Sequence, residues 1–122
     1  MSNSINRVIV GGNLGADPEV RTTPGGVAVL KLRLATNDAH YDANNRLVER
    51  TDWHDIALFG ARAEGLGRVL HKGDRIVVEG TLRTSMYERE GRKIKRVEVL
   101  ARDVMLSGRR RGGEPATATP PP

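Results

Sequence analysis

The chain has no cysteine, and that absence removes several chemistries at once. A disulfide framework, a thiol nucleophile, iron–sulfur ligation and a thiolate zinc site are all excluded. The three histidines, His40, His54 and His71, do not fall at the H-E-x-x-H spacing of a helical zinc site. No metal or other cofactor is expected. No apolar run approaches the ~20 residues needed to span a bilayer, and the N-terminal MSNSINR lacks the charged-then-apolar pattern of a secretion signal. The expectation is a cytoplasmic protein with no membrane partner. Aromatic residues are also scarce, with only Tyr41, Trp53, Phe59 and Tyr87 in 122 residues.

What the chain does have is positive charge. Twenty Lys and Arg stand against fifteen Asp and Glu, a net +5 with a sequence pI near 10.2. Such a balance favours polyanionic partners, nucleic acid first and an anionic membrane surface second. Arginine supplies most of the excess, and its planar guanidinium stacks and binds phosphate bidentately in ways lysine does not.

Composition divides the chain in two. From Gly108 onward it reads GRRRGGEPATATPPP, without a core-forming residue, so residues 108–122 are expected to be a disordered tail. Residues 1–107 carry one domain, long enough to bury its own core. Within it, period-2 alternation of β-branched and aliphatic residues indicates strands. Val27 to Thr36 puts Leu30, Leu32 and Leu34 on one face and Lys31 and Arg33 on the other. Asp52 to Phe59 sets His54, Ile56 and Leu58 against Trp53, Asp55, Ala57 and Phe59. Arg75 to Tyr87 sets Ile76, Val78, Leu82 and Met86 inside, with Arg75, Arg83 and Tyr87 outside. Lys93 to Leu106 is a fourth long segment whose alternation breaks at Val97 to Leu100, which predicts a bulge there. Ile5 to Val10 opens the domain as a strand ending at Gly11-Gly12, with Asn13-Leu14-Gly15 as a turn, and residues 38–48 read as a loop. Ala61 to Lys72 is helix-like, with Leu66, Val69 and Leu70 on one face and Gly73 closing it. Five antiparallel strands with one short helix between the third and fourth make an all-β chain with the plan of the OB-fold, a small, partly open barrel.

Function is suggested by where the few aromatics fall. Trp53, Phe59 and Tyr87 lie on the faces opposite Ile56/Leu58 and Ile76/Leu82, alongside Lys31, Arg33 and Arg83. Aromatic rings interleaved with cations form a platform on which unpaired bases stack, at ~1–3 kcal/mol per base. Arg7, Arg21, Arg50 and Arg62 sit at strand or loop edges where a phosphate backbone could pass. Arg89, Arg92, Lys93, Lys95 and Arg96 surround an expected hairpin turn at Glu90-Gly91. An acid–base enzyme is disfavoured, because His54 points to the face opposite Asp55 and the two cannot orient one another. Gly11-Gly12-Asn13-Leu14-Gly15 carries no Walker lysine, and no carboxylate cluster suits a metal-dependent nuclease.

The stretches NRVIVGGNLGADPEVR (6–21), LATN (34–37), TDWHDIALFG (51–60) and KGDRIVVEGTLRT (72–84), in that order, resemble the bacterial single-stranded DNA-binding proteins. The resemblance spans about residues 3–107. It implies an OB-fold homotetramer without enzymatic activity that binds unpaired DNA regardless of sequence and serves replication, recombination and repair near the nucleoid. It also implies stacking on Trp53, Phe59 and Tyr87, and on a further aromatic whose place is taken by His40 or Tyr41. Family members usually end in an acidic tip that recruits replication and repair proteins. Here the tail holds Arg109, Arg110 and Arg111 against Glu114 alone, so that recruitment is not expected of it. An accessory replication or restart protein acting through protein partners, and an RNA-binding OB-domain, are the alternatives.

Overall fold

In the computed structural model the described residues are 3–108. Seven elements follow one another: β1 (Val8–Leu14), β2 (Glu19–Thr22), β3 (Ala28–Tyr41), β4 (Leu47–Phe59), α1 (Arg62–Val69), β5 (Arg75–Arg89) and β6 (Arg92–Gly108). The strands run in the order β1-β5-β6-β4-β3-β2, and an extra β1–β3 pairing closes five of them into a barrel. The short β2 lies on the start of β3. All pairings are antiparallel except β4–β6, which meet in parallel through Ile56↔Val99 and Ala57↔Leu100. This is the expected OB plan, with the helix between the third and fourth of the five long strands.

Alternation builds the core as anticipated on β3 and β4. Leu30, Leu32, Leu34, Ile56 and Leu58 are buried, joined by Ile76, Val78 and Val99. Filling one cavity from every strand is what makes the barrel cohere, since each buried aliphatic side chain contributes roughly 1.5–3 kcal/mol.

Several expectations are corrected. The opening strand begins at Val8 and continues through Gly11 and Gly12 to Leu14, which is core rather than turn. The glycine pair belongs inside the strand because the β3 backbone comes so close. A Cβ on Gly12 would lie 2.0 Å from the Ala35 carbonyl oxygen, where β1 passes from β5 (Gly12↔Ile76) to β3 (Asn13↔Ala35). Glycine here permits closure of the barrel.

Residues 38–48 are not a loop. β3 and β4 pair without interruption from Val29↔Phe59 to Tyr41↔Leu47. The turn is confined to 42–46, where the Asp42 carboxylate accepts from the Asn44 and Arg46 amides and Asn45 adopts φ 62°. Polar residues along a solvated ribbon hid the pairing.

The bulge in β6 is also displaced. Register is continuous from Arg92 to Ala101 and shifts between Glu79 and Gly80, leaving Arg102 unpaired. Gly80 permits this, since a Cβ there would lie 2.1 Å from the Leu100 carbonyl oxygen. The outer parts of β5 and β6 then leave the barrel as a two-stranded ribbon. Leu82 and Met86, expected inside, are exposed for that reason. The ribbon ends in the expected turn, with Glu90 at φ 53° and Gly91 at φ 78°, the paired left-handed conformations of a type I′ hairpin.

The helix is shorter than expected, and Val69 faces solvent while Leu70 caps the helix and is buried. The chain turns at Gly73 (φ 92°), and the buried Asp74 accepts from the His71 amide at 2.9 Å. One of its two glycines is structural, because a Cβ on Gly67 would lie 2.5 Å from the Val20 side chain of β2. Gly108, expected to begin the tail, is the last residue of β6, and the rest of the expected tail, 109–122, lies outside the described residues.

Candidate nucleic-acid interface

Period 2 carries the residues of one barrel face outward together. On β3 these are Lys31 and Arg33, and on β4 Trp53, Asp55, Ala57 and Phe59, joined through Lys31↔Ala57 and Arg33↔Asp55. β6 adds Arg96, Glu98 and Leu100, and β5 adds Thr81, Arg83 and Tyr87, through Thr81↔Leu100 and Arg83↔Glu98. Trp53, Phe59, Tyr87, Lys31, Arg33, Arg83 and Arg96 therefore lie on one face of the sheet, with Tyr87 on its projecting ribbon. Phe59 and Tyr87 are 49% and 44% exposed, enough ring surface to receive a planar ligand.

Trp53 is half-buried and held on two sides. The Arg33 guanidinium lies over its ring, 5.2 Å from the centroid, a cation–π contact. Gly15 lies against the benzo edge, where an added Cβ would come within 2.2 Å of Cζ3. The indole is thus oriented before any ligand arrives.

A groove runs beside it, lined by Arg21, Lys31, Arg33, Asp55, Arg96 and Glu98 among others. Its cations are paired. Lys31 Nζ lies 3.4 Å from Glu98 Oε2, Arg96 Nη2 is 3.8 Å from the same oxygen, Arg33 Nη1 is 3.4 Å from Asp55 Oδ1, and Arg21 Nη2 is 2.9 Å from Glu19 Oε1. The Lys31–Glu98 pair reaches from β3 across β4 to β6. The β4 residue beneath it in the register is the fully buried Ala57, and a small side chain there leaves the path clear. Beyond Phe59 a second depression is lined by Arg83, Leu100 and Arg102.

The remaining cations expected at the site are dispersed. Arg7 pairs with Glu79 at 3.3 Å on the β1–β5 side of the barrel, and Arg50 with Asp52 at 3.1 Å on the β3–β4 ribbon. Arg62 donates to the Arg102 carbonyl and pairs with Asp103 at 3.5 Å, tying the start of α1 to the β6 bulge. Continuous β3–β4 register places Tyr41, 69% exposed, on the parity of Trp53 and His40 on the opposite one.

His54 is part-buried, with Nε2 2.9 Å from Thr36 Oγ1. Asp55 faces Arg33 and Asp52 faces Arg50, so no His–Asp pair forms. No group of three or more His, Asp or Glu among the described residues could hold a metal ion. Sequence reasoning placed Asp55 on the outer face but missed its pairing with Arg33, and it missed Glu19, Glu98 and the role of Gly15. Glu98 was open to it, because it shares parity with Arg96, but the cross-strand partner Lys31 depends on the parallel β4–β6 contact.

The model of the single-strand binding protein family matches residues 5–107. The chain belongs to that family. Its members are DNA-binding proteins without enzymatic activity. Among solved structures, a deletion mutant of the single-stranded DNA-binding protein from Thermus aquaticus is 39% identical with a TM-score of 0.75. The wild-type Thermus aquaticus protein is likewise 39% identical, with a TM-score of 0.73. Each alignment covers 84% of this chain and 50% of the other, so the chain spans about half the length of those two relatives. The Plasmodium falciparum protein of the family, solved in complex with single-stranded DNA, is 27% identical with a TM-score of 0.79, covering 87% of this chain and 97% of that one. No helix among the described residues is long and apolar enough to cross a membrane.

Proposed function

We propose that this family member binds single-stranded DNA without regard to sequence, protecting and organising it during replication, recombination and repair. The observation that carries this reading is the single face holding Trp53, Phe59 and Tyr87 among Lys31, Arg33, Arg83 and Arg96. Exposed rings offer stacking to unpaired bases, and a duplex, whose bases are already stacked, offers them nothing. The complex of the Plasmodium falciparum relative with single-stranded DNA supports the ligand class. Tyr41, on the parity of Trp53, is the further stacking residue rather than His40. Arg7, Arg21, Arg50 and Arg62 are phosphate contacts at the margins of the path, each first released from its carboxylate.

The protein acts as a homotetramer in the cytoplasm, associated with the nucleoid. Support comes from a second face on β1, β5 and β6, where Ile9 and Met105 are 66% and 61% exposed near Val77. Exposed apolar side chains grouped in this way mark an interaction surface. Replication and repair proteins are further partners in this reading.

Titration with oligo-dT, oligo-U and duplex DNA over a salt series tests the reading. Tight binding of oligo-dT with poor duplex binding is expected. Equal affinity for duplex and single strand at moderate salt refutes it, and preference for oligo-U would assign the face to RNA.

A further inference from the structure

The groove beside Trp53 is walled by four cations, Arg21, Lys31, Arg33 and Arg96, and by four carboxylates, Asp17, Glu19, Asp55 and Glu98. Its formal charges cancel, in a chain whose net charge is +5. A surface built only to hold a phosphate backbone gains from every cation and loses from every carboxylate. Neutrality at the centre of the binding face therefore needs an explanation, and Glu98 is where the geometry concentrates it.

Among the ion-paired groove carboxylates Glu98 is the most enclosed. Its side chain retains 19% exposure, against 44% for Asp55 and 60% for Glu19. One oxygen serves two cations from different strands, at 3.4 Å from Lys31 Nζ and 3.8 Å from Arg96 Nη2. A bridging phosphate oxygen would occupy the same position.

We propose that Glu98 is a specificity-determining residue, an internal counter-anion that stands in for phosphate so that the groove rewards bases rather than charge. The proposal rests on single-stranded DNA occupying this face. A phosphate that reaches Lys31 and Arg96 must displace Glu98 or share the cations with it. Exchanging one anion for another yields little net attraction, whereas stacking on Trp53 and Phe59 is untouched by the exchange. The penalty falls unequally: a rigid duplex presents phosphates at fixed spacing and must set one against Glu98, whereas a flexible single strand stacks its bases and routes its phosphates past it.

The test is Glu98→Gln in the full chain, which keeps the side-chain shape and removes the charge. Affinity for oligo-dT and for duplex DNA is measured across a salt series. Glu64→Gln serves as a charge-matched control, since Glu64 pairs with Arg68 on α1 outside the groove. Glu98→Gln is expected to tighten duplex binding by about two- to fivefold, the range set by a partly exposed ion pair. It should tighten oligo-dT binding less, so that the single-strand preference narrows. The salt slope for duplex should steepen by about 0.9 for the one phosphate newly neutralised, with Glu64→Gln producing no narrowing. Should Glu98→Gln fail to fold, Asp55→Asn at the more exposed Arg33 pair is expected to narrow the preference in the same direction.

An unchanged preference, or equal narrowing with Glu64→Gln, overturns the proposal. Weaker binding of both ligands at an unchanged melting temperature also overturns it, because Glu98 would then be orienting the cations for the strand. Trp53→Ala in the same series separates the two levels. If it leaves oligo-dT affinity intact, the assignment of DNA to this face fails, whatever Glu98 does.

Discussion

In the barrel groove every cation lies within 3.8 Å of a carboxylate, while at the tip of the β5–β6 ribbon Arg89, Arg92, Lys93 and Lys95 form no ion pair among the described residues. The difference follows from architecture. Groove side chains project from four adjoining strands, β2, β3, β4 and β6, so each cation finds a carboxylate on its own strand or on another of the four. The ribbon tip extends from the barrel on two strands, and its only carboxylates, Glu88 and Glu90, leave the four cations in excess. Unpaired cations on a projecting arm attract a polyanion from a distance and are sensitive to salt. On the proposed reading, a neutral groove beside a fixed indole would discriminate at contact, and attraction and selection would fall to different parts of one sheet.

The comparison can be broken first through stability. Leu58→Ala in the barrel should cost ~2–5 kcal/mol in chemical denaturation, whereas Met86→Ala on the ribbon should stay within ~0.5 kcal/mol. Comparable losses would mean the ribbon is an integral part of the folded core. Next, replacing Arg89, Arg92, Lys93 and Lys95 by Gln should flatten the salt dependence of oligo-dT binding by about three, at roughly 0.7 per phosphate on a single strand. The melting temperature and the preference over duplex should persist. Loss of that preference would show that the ribbon selects as well as attracts.

Trp53→Ala sharpens the other side of the contrast. It should weaken oligo-dT binding by ~1–3 kcal/mol per site with the salt slope unchanged, since stacking releases no counterions. A flattened slope would place the Arg33 guanidinium, rather than the indole, at the centre of the contact. The smallest effect is expected at Arg50→Ala, which removes an exposed pair with Asp52. Stability should move by less than ~0.5 kcal/mol, and equilibrium denaturation will detect anything larger.

Much of this was legible in the sequence wherever one face of a strand is buried. Leu30, Leu32, Leu34, Ile56 and Leu58 announce their faces by alternation, and the outward direction of Trp53, Phe59 and Lys31 follows. Legibility fails where burial stops or backbones crowd. Leu82 and Met86 continue the pattern of Ile76 and Val78, yet the shift at Gly80 carries them out of the barrel. The glycines at 11 and 12 have the composition of a turn, and only the approach of Ala35 shows why they lie within a strand. Pairing across β4, which sets Glu98 against Lys31, joins residues 67 positions apart and leaves no local trace. Gly15 likewise gives no hint that an indole rests against it.

The chain contains a single tryptophan, and it is the one wedged between Gly15 and Arg33 beside the groove. Its emission therefore originates wholly at the proposed contact, with no background from elsewhere in the molecule. Excited selectively, the protein reports its own occupancy: a base stacked on the ring should quench the signal, while unfolding should release the indole and shift the emission to the red. One unlabelled sample then distinguishes loss of ligand from loss of structure by colour rather than by intensity.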